Sequence, residues 1–262
     1  MDLCHITLTA ERESRLPLFS DEAAYREALR RIGKVFNDRL ALHGLLPEHV
    51  HLLPQASRAE SGRLAQATLA TLAPLVATPF AAPSFIRTVK SRAYLRYLLR
   101  YFLEQPVKHK VPGPPALWVG SCLPDLIGAR IVPGLTPCIA RVLPELTPGM
   151  AVGILDLPAS ALEPAGRDTI RAAGAVRLRE AASAALALDP ALPGKRRRVV
   201  QARRAVLCLA RWAGIPAGEV AWALGVSART LRNLVKVDAE RDLMRAICVR
   251  LALEDTVRSG AR

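Results

Sequence analysis

The sequence predicts an α+β protein with an all-helical carboxy-terminal part, and three observations carry that expectation. The opening segment alternates a short β-branched run, an amphipathic stretch and a second strand-like region. Prolines and glycines then recur every few residues between 111 and 165. Beyond the basic run Lys195-Arg196-Arg197-Arg198, everything reads as helix.

Taken in order, Leu3 to Thr9 is β-branched and roughly alternating, the pattern of a half-buried strand. Ser20 or Asp21 caps a helix running through Tyr25, Leu29 and Ile32 to about Arg39, apolar at three- and four-residue spacing. Leu40 to Leu53 is a second strand region, broken by Gly44 and Pro47. Glu60 to Val76 reads as a helix ended by the Thr78-Pro79 and Ala82-Pro83 breaks. Ser84 to Leu103 reads as one basic helical segment, with Pro106 as its terminator. The section from Val111 to Ala165 reads as looped or extended connector, Arg167 to Leu188 as an alanine-rich helix, and Asp189 to Gly194 as a break. The expected organisation is a first domain over residues 1–130, a proline-rich connector with its helix over 131–194, and a final domain over 195–262.

At 262 residues and 51% hydrophobic, the chain is long enough for two real cores. A net charge of +14 and a pI near 10.4 create a field that attracts polyanions, so nucleic acid is the first expected partner. No amphipathic basic helix with an aromatic face and no uninterrupted apolar run of membrane-spanning length is present, so no membrane partner is expected. The segment Met1-Asp2-Leu3-Cys4-His5 lacks the basic and apolar regions of a signal peptide, which points to a cytoplasmic protein. Cys4, Cys122, Cys138, Cys208 and Cys248 are odd in number and never spaced as C-x-x-C. They are expected as small buried hydrophobes rather than disulfide or zinc ligands.

Two pairs of residues carry the chemistry. In an extended strand His49 and His51 point to the same face with Val50 turned away, which makes a two-imidazole grip for a cation or simply a polar sheet face. On a helix Tyr101 and Gln105 are an i, i+4 pair, so a phenol and an amide oxygen can address one point.

The context of both pairs resembles a known family. The segment Leu45-Leu46-Pro47-Glu48-His49-Val50-His51-Leu52-Leu53, with His5-Ile6-Thr7 before it, is similar to the signature of the single-tyrosine HUH transposases, particularly the REP-associated tyrosine transposase branch. Tyr101-Phe102-Leu103-Glu104-Gln105-Pro106-Val107-Lys108-His109 and then Leu117-Trp118-Val119-Gly120-Ser121 resemble that family's nucleophile helix and the Trp-Ser element after it. The resemblance covers roughly residues 2 to 130 and keeps order and spacing. It implies a ferredoxin-like HUH sheet with packed helices, on which His49, His51 and Gln105 would coordinate Mg²⁺ or Mn²⁺. Tyr101 would then attack a phosphodiester in single-stranded or hairpin DNA, leaving a 5′-phosphotyrosine and a free 3′-hydroxyl that permits strand transfer. Among Tyr94, Tyr97 and Tyr101, only Tyr101 has an amide one helical turn onward. Two departures stand out. Glu48 occupies a position that is commonly Asn, and the aromatic and glycine-rich segment usual before the tyrosine is not recognisable in Leu53 to Ser84. A domesticated, non-catalytic DNA-binding regulator is the rival expectation. A homodimer is one of two assemblies that the resemblance leaves open.

In the final domain a helix containing Glu219-Val220-Ala221 and a tight turn at Leu224-Gly225-Val226-Ser227 read as a helix-turn-helix, with Ala228 to Lys236 as the recognition helix and a plain helical hairpin as the bland alternative. The stretch is also similar to the DNA-binding domain of the replication initiator DnaA, including Ala202-Arg203 and Leu209-Ala210-Arg211. Ser227, Arg229, Thr230, Arg232 and Asn233 are expected at base edges or flanking phosphates of a duplex site, and Lys236 at the backbone. If the second resemblance holds, Arg203 would also contact DNA. Lys195, Arg196, Arg197 and Arg198 are expected phosphate contacts.

Overall fold

The computed structural model describes residues 2–11, 16–235 and 239–260. The chain opens β1 (Cys4–Thr9), α1 (Glu22–Phe36), β2 (Leu40–Leu45), β3 (His49–Pro54), α2 (Arg58–Leu72) and β4 (Phe85–Thr88), followed by the long helix α3 (Arg92–Lys108). The strands form one four-stranded sheet in the order β2-β3-β1-β4, with every neighbouring pair antiparallel. That order, with two β-α-β crossovers interleaved, is the ferredoxin-like arrangement. The expected α+β class is therefore what the chain adopts.

Each of the helices α1, α2 and α3 starts where a short polar side chain caps it. Asp21 accepts from the Ala24 N–H at the start of α1, and Ser91 accepts from Tyr94 at the start of α3. Ser57 and Glu60 make a reciprocal capping box at α2. On β1 and β3 the side chains alternate: Ile6, Leu8, Val50 and Leu52 are buried to 1% or less exposure and fill one face of the sheet. The intervening His5, Thr7, His49 and His51 take the other face, where α3 lies.

Four sequence expectations give way here. Gly44 sits inside β2 rather than breaking it, and the interruption is the turn between Leu45 and His49. Phe85–Thr88 is a strand, not helix, because Ile86 pairs with Ile6 and Arg87 with His5 at the sheet edge. Pairing supplied by β1 outweighs the local preference. Helix α3 also continues through Pro106 to Lys108. The missing proline donor falls in the last turn, where the ring already holds a helical φ and only two further residues remain. Cys208 is exposed, against the expectation of five buried thiols.

After α3 the chain makes the short helical turns α4 (Leu123–Leu126), α5 (Ile139–Val142) and α6 (Pro148–Gly153). Trp118, in the segment before α4, is 9% exposed and donates through its indole N–H to the Leu45 carbonyl at 2.8 Å, while the Leu45 N–H donates to Gly120 at 2.9 Å. Ser121 forms a bridge to Gly44. This connection fastens the end of β2 from which the chain turns into His49.

The chain divides into two compact units: residues 1–126 with 132–157, and residues 127–131 with 158–262. The stretch 131–194 is thus shared between them. The second unit is built from α7 (Arg167–Ala185, broken at Gly174), α8 (Arg197–Ala213), α9 (Ala217–Leu224), α10 (Ala228–Leu234) and α11 (Arg241–Gly260). Its core is rich in alanine: Ala175, Ala181, Ala182, Ala202, Ala205 and Ala210 are fully buried. Small side chains at these positions let the helices approach closely around Ile170, Leu178, Val206 and Ile247. No helix among the described residues is long and apolar enough to cross a membrane.

A β-carbon at Gly120 would lie 2.1 Å from the Leu45 carbonyl oxygen and 2.8 Å from the Trp118 indole nitrogen. Gly120→Ala should therefore destabilise the protein by about 1–3 kcal/mol, measured as a fall in the urea unfolding midpoint. An unchanged midpoint would mean that this fastening does not constrain β2.

Candidate active site

The register of β1 against β3 assembles the polar face. Thr7 stands opposite His51 and Thr9 opposite His49, while Arg87 and Phe85 of β4 stand opposite His5 and Thr7. Residues paired across an antiparallel sheet share a face, so both expected histidines and His5 meet on one surface. Helix α3 closes over it. Phe102 packs with its ring 5.4 Å from His5 and 5.7 Å from His51, and the Tyr101 hydroxyl lies 3.1 Å from His51 Nε2. The Gln105 side chain, 2% exposed, hydrogen-bonds the His49 imidazole. Tyr101, His49, His51 and Gln105, singled out from sequence, are therefore brought together.

A hydrogen-bonded row runs through this face. His51 Nδ1 is 3.0 Å from His5 Nε2 and 3.2 Å from the Thr7 hydroxyl, and on its far side Nε2 meets Tyr101. A neutral imidazole carries one proton, so with His51 donating toward His5 its Nε2 is left to accept the Tyr101 O–H. Sequence reasoning quoted His5 but gave it no role. The signal was available, since His5 and Thr7 alternate in β1 as His49 and His51 do in β3.

Burial dominates the electrostatics. Desolvation, then the nearby Arg87 and His49, lowers the His5 pKa to about 4. Desolvation with the neighbouring His49, His5 and His109 pulls His51 down to about 2. His49 is lowered by burial and His109, against the opposing influence of the Gln105 hydrogen bond and Glu48. Burial and the adjacent Tyr97 and Tyr94 push the Tyr101 phenol up. At neutral pH the site holds neutral imidazoles beside a neutral phenol.

Neutral imidazoles are the form that ligates metals, and one atom here asks for a partner. His49 Nε2 is buried without a hydrogen bond. Burying a polar atom unpaired is costly, and a divalent cation at that nitrogen would satisfy it, so the residues present fit such a group. On the solvent side Glu48, His49 and His109 have one ligand atom each within 4.8 Å of one another. His109 was not anticipated as part of the site. It lies four residues beyond Gln105 and eight beyond Tyr101, a spacing that keeps it on the same helical face.

A row of aromatic rings leads away from the phenol. Tyr97 stacks on Tyr101 at 6.2 Å and on Tyr94 at 5.9 Å, and the Arg87 guanidinium sits 5.0 Å above the Tyr94 ring. Tyr97 and Phe85 are both 60% exposed. Arg58, Phe85, Arg87, Lys90 and Tyr94 line a surface cavity of about 560 Å³.

In the second unit the structure places α9 and α10 about the turn at Gly225, which takes the left-handed conformation (φ 59°) that ends α9. Ser227 is occupied as the cap of α10, accepting from the Thr230 N–H at 3.2 Å and sharing a hydrogen bond with the Thr230 hydroxyl. Leu231 and Leu234 are buried, while Arg229, Arg232 and Asn233 are exposed on the outer face. Lys236 lies outside the described residues. Lys195, Arg196 and Arg197 are exposed, Arg198 is half-buried at the start of α8, and Arg203 donates to the Gly194 carbonyl at 3.1 Å. Trp222 on α9, 76% exposed, was not singled out.

No protein-family model and no curated protein matches the chain. A solved structure described as the REP-associated tyrosine transposase bound to a REP hairpin is similar over 46% of this chain and 76% of its own, at 18% identity and a TM-score of 0.36.

The lowered histidine pKa values set a pH dependence of stability. The unfolded chain takes up protons near pH 6.5, whereas folded His5 does not until about pH 4. The unfolded state binds more protons between these values, so stability is full above pH 6.5 and falls as the pH drops toward 4. Between pH 6.5 and 5, where most carboxylates stay ionised, the urea midpoint should decline, and His5→Gln should decline less. A flat wild-type profile would contradict the buried neutral cluster.

Proposed function

We propose that this chain is a metal-dependent DNA strand transferase that cuts single-stranded DNA through a 5′-phosphotyrosine at Tyr101, tethered to a helix-turn-helix that binds a duplex or hairpin site. One observation carries the reading: the Tyr101 hydroxyl sits 3.1 Å from His51 Nε2, beside a His49 imidazole whose buried Nε2 lacks a partner. A cation at that nitrogen would give it a partner within reach of the half-buried phenol.

The reaction follows from what these groups can and cannot do. Burial holds His51 well below the usual imidazole range and pushes the Tyr101 phenol up, so transfer of the phenolic proton to His51 is uphill at neutral pH. His51 instead orients the hydroxyl, and Phe102 fixes the imidazole plane. A divalent cation held at His49, with His51 and Gln105 as the other ligands implied by the family resemblance, would supply positive charge to the scissile phosphate and to the developing phenolate. The Tyr101 oxygen, its proton released to water, then forms a bond to phosphorus as the bond to the 3′-oxygen breaks, and that oxygen takes up a proton from water to leave as a 3′-hydroxyl. Attack by a different 3′-hydroxyl reverses the sequence and completes strand transfer. The exposed rings of Tyr97 and Phe85, with Arg87 and Lys90 beside them, offer stacking faces and phosphate partners for the strand on either side of the scissile bond.

In the second unit, exposed Arg229, Arg232 and Asn233 on α10 are suited to groove contacts, with Lys195, Arg196 and Arg197 toward phosphates. Tethering a duplex binder to a nickase raises the local concentration of the strand to be cut.

Incubation with labelled single-stranded hairpin DNA and Mn²⁺ should yield a covalent protein–DNA adduct that Tyr101→Phe abolishes. An adduct that survives in Tyr101→Phe would end the proposed mechanism, and no adduct with any cognate hairpin would leave the regulator as the better account. Arg232→Ala should weaken duplex binding by about 1–3 kcal/mol or lower the salt slope by about one, as read by fluorescence anisotropy at several salt concentrations. Unchanged affinity and slope would remove Arg232 from the interface.

A further inference from the structure

A cavity of about 510 Å³ opens in the first unit, where the start of α1 meets the turn between β2 and β3 and the segment before α4. Its floor is aromatic. The rings of Phe19 and Tyr25 lie 4.6 Å apart, and those of Tyr25 and Trp118 lie 4.9 Å apart, edge to face. A concave, mostly apolar lining of this size with a few polar groups is the usual form of a small-molecule site. None of its lining residues belongs to the face that carries the histidines and Tyr101.

The polar groups around the cavity are nearly all acceptors. Pro17, Pro47, Pro112 and Pro114 form walls that carry carbonyls but no N–H. The Trp118 indole N–H is already spent on the Leu45 carbonyl. Asp21 and Glu22 complete the lining with two carboxylates, and no Lys, Arg or His stands among the described residues of the cavity. Asp21 accepts only from the Ala24 N–H and the Ser20 hydroxyl, both neutral, so it keeps its charge. Glu22 pairs with Arg26 through one oxygen and leaves 62% of its side chain exposed. In a chain of net charge +14, this cavity disfavours phosphate and favours a cation.

Tyr25 points to a ligand independently of the carboxylates. It is 5% exposed and lines the cavity, yet its hydroxyl has no hydrogen-bond partner among the described residues. A buried phenol usually finds one. An ammonium would donate to that oxygen, and the faces of the neighbouring rings would attract the same charge.

We propose that this cavity binds a small organic cation, a primary amine joined to a flat apolar body, with the body against Phe19, Tyr25 and Trp118 and the ammonium turned toward the Tyr25 hydroxyl and the Asp21 and Glu22 carboxylates. Pro47 forms one wall and stands two residues before His49, so the bound molecule touches the turn that leads into the histidine pair. The site is independent of the strand-transfer reading.

Phenethylamine, phenethyl alcohol and hydrocinnamate share one apolar body and differ in charge. Each is titrated into the full chain and followed by the nuclear magnetic resonance signal of the Trp118 indole N–H, assigned as the one that persists in Trp212→Phe and Trp222→Phe. The amine should bind with a Kd of about 1 mM or tighter, the alcohol about fivefold more weakly, and the carboxylate not measurably. Asp21→Asn, which keeps a good helix cap while removing the charge, combined with Glu22→Gln, should weaken the amine about fivefold and leave the alcohol unchanged. Leu117→Trp, which fills the cavity from its wall, should abolish binding of both. Thermal melts identify any variant that fails to fold, and the ligand series on wild type needs no substitution. Equal binding of amine and alcohol, amine binding unchanged in the folded Asp21 and Glu22 variant, shifts confined to Trp212 or Trp222, or no shift of Trp118 at about 10 mM amine would overturn the proposal.

Discussion

The antiparallel pairing of β1 with β3 is the constraint on which the rest of the first unit depends. Its register sets Thr7 against His51 and Thr9 against His49, and it decides which face of each strand is apolar. Slippage by one residue would send both imidazoles into the space filled by Ile6, Leu8, Val50 and Leu52. Because those four side chains are almost completely buried, the apolar face enforces the register, and the polar face inherits its geometry. The site is positioned by the core behind it.

The same arrangement explains why the imidazoles stay neutral. They are packed between a sheet and the rings of Phe102 and Tyr101, where an extra proton would be poorly solvated and, on His5, would face the Arg87 guanidinium. Neutrality leaves lone pairs free for hydrogen bonds and for a cation, and it also prevents His51 from acting as a strong base. A phenol in such a setting is held in place by its hydrogen bond and kept protonated. The fold thus supplies orientation at this face, through the hydrogen bonds of His51 and the packing of Phe102.

Much of this was legible in the sequence because it depended on local periodicity. The alternation across His49, Val50 and His51 and the four-residue step from Tyr101 to Gln105 translate directly into shared faces once strand and helix are assigned. What escaped was decided by tertiary pairing or by the limits of an element. The strand Phe85–Thr88 looked helical because its partner, β1, is about eighty residues earlier in the chain. His109 was hidden by the expectation that Pro106 ends α3, although a proline in a final turn removes only one donor and the spacing from Tyr101 persists. His5 was visible as a strand residue, but nothing in the chain announced that its ring would meet His51. In the second unit the glycine turn and the serine cap were plain from residue type, and the buried pair Leu231 and Leu234 fixed which polar side chains face outward.

The two borders of the sheet carry a consequence for self-association. A bare edge strand is a template for joining another chain, and here each edge is blunted differently. Along β2 the Gly44–Ser121 bridge covers one end of the edge. Strand β4 is only four residues long, Arg58 donates to the Ile86 carbonyl at 2.9 Å, and Arg87 places a charge on it. Growth of the sheet into a continuous intermolecular one is thereby discouraged. Any pairing of two copies would then be expected to run through helices rather than through sheet edges, and the aromatic end of β4 keeps the Phe85 ring at the surface.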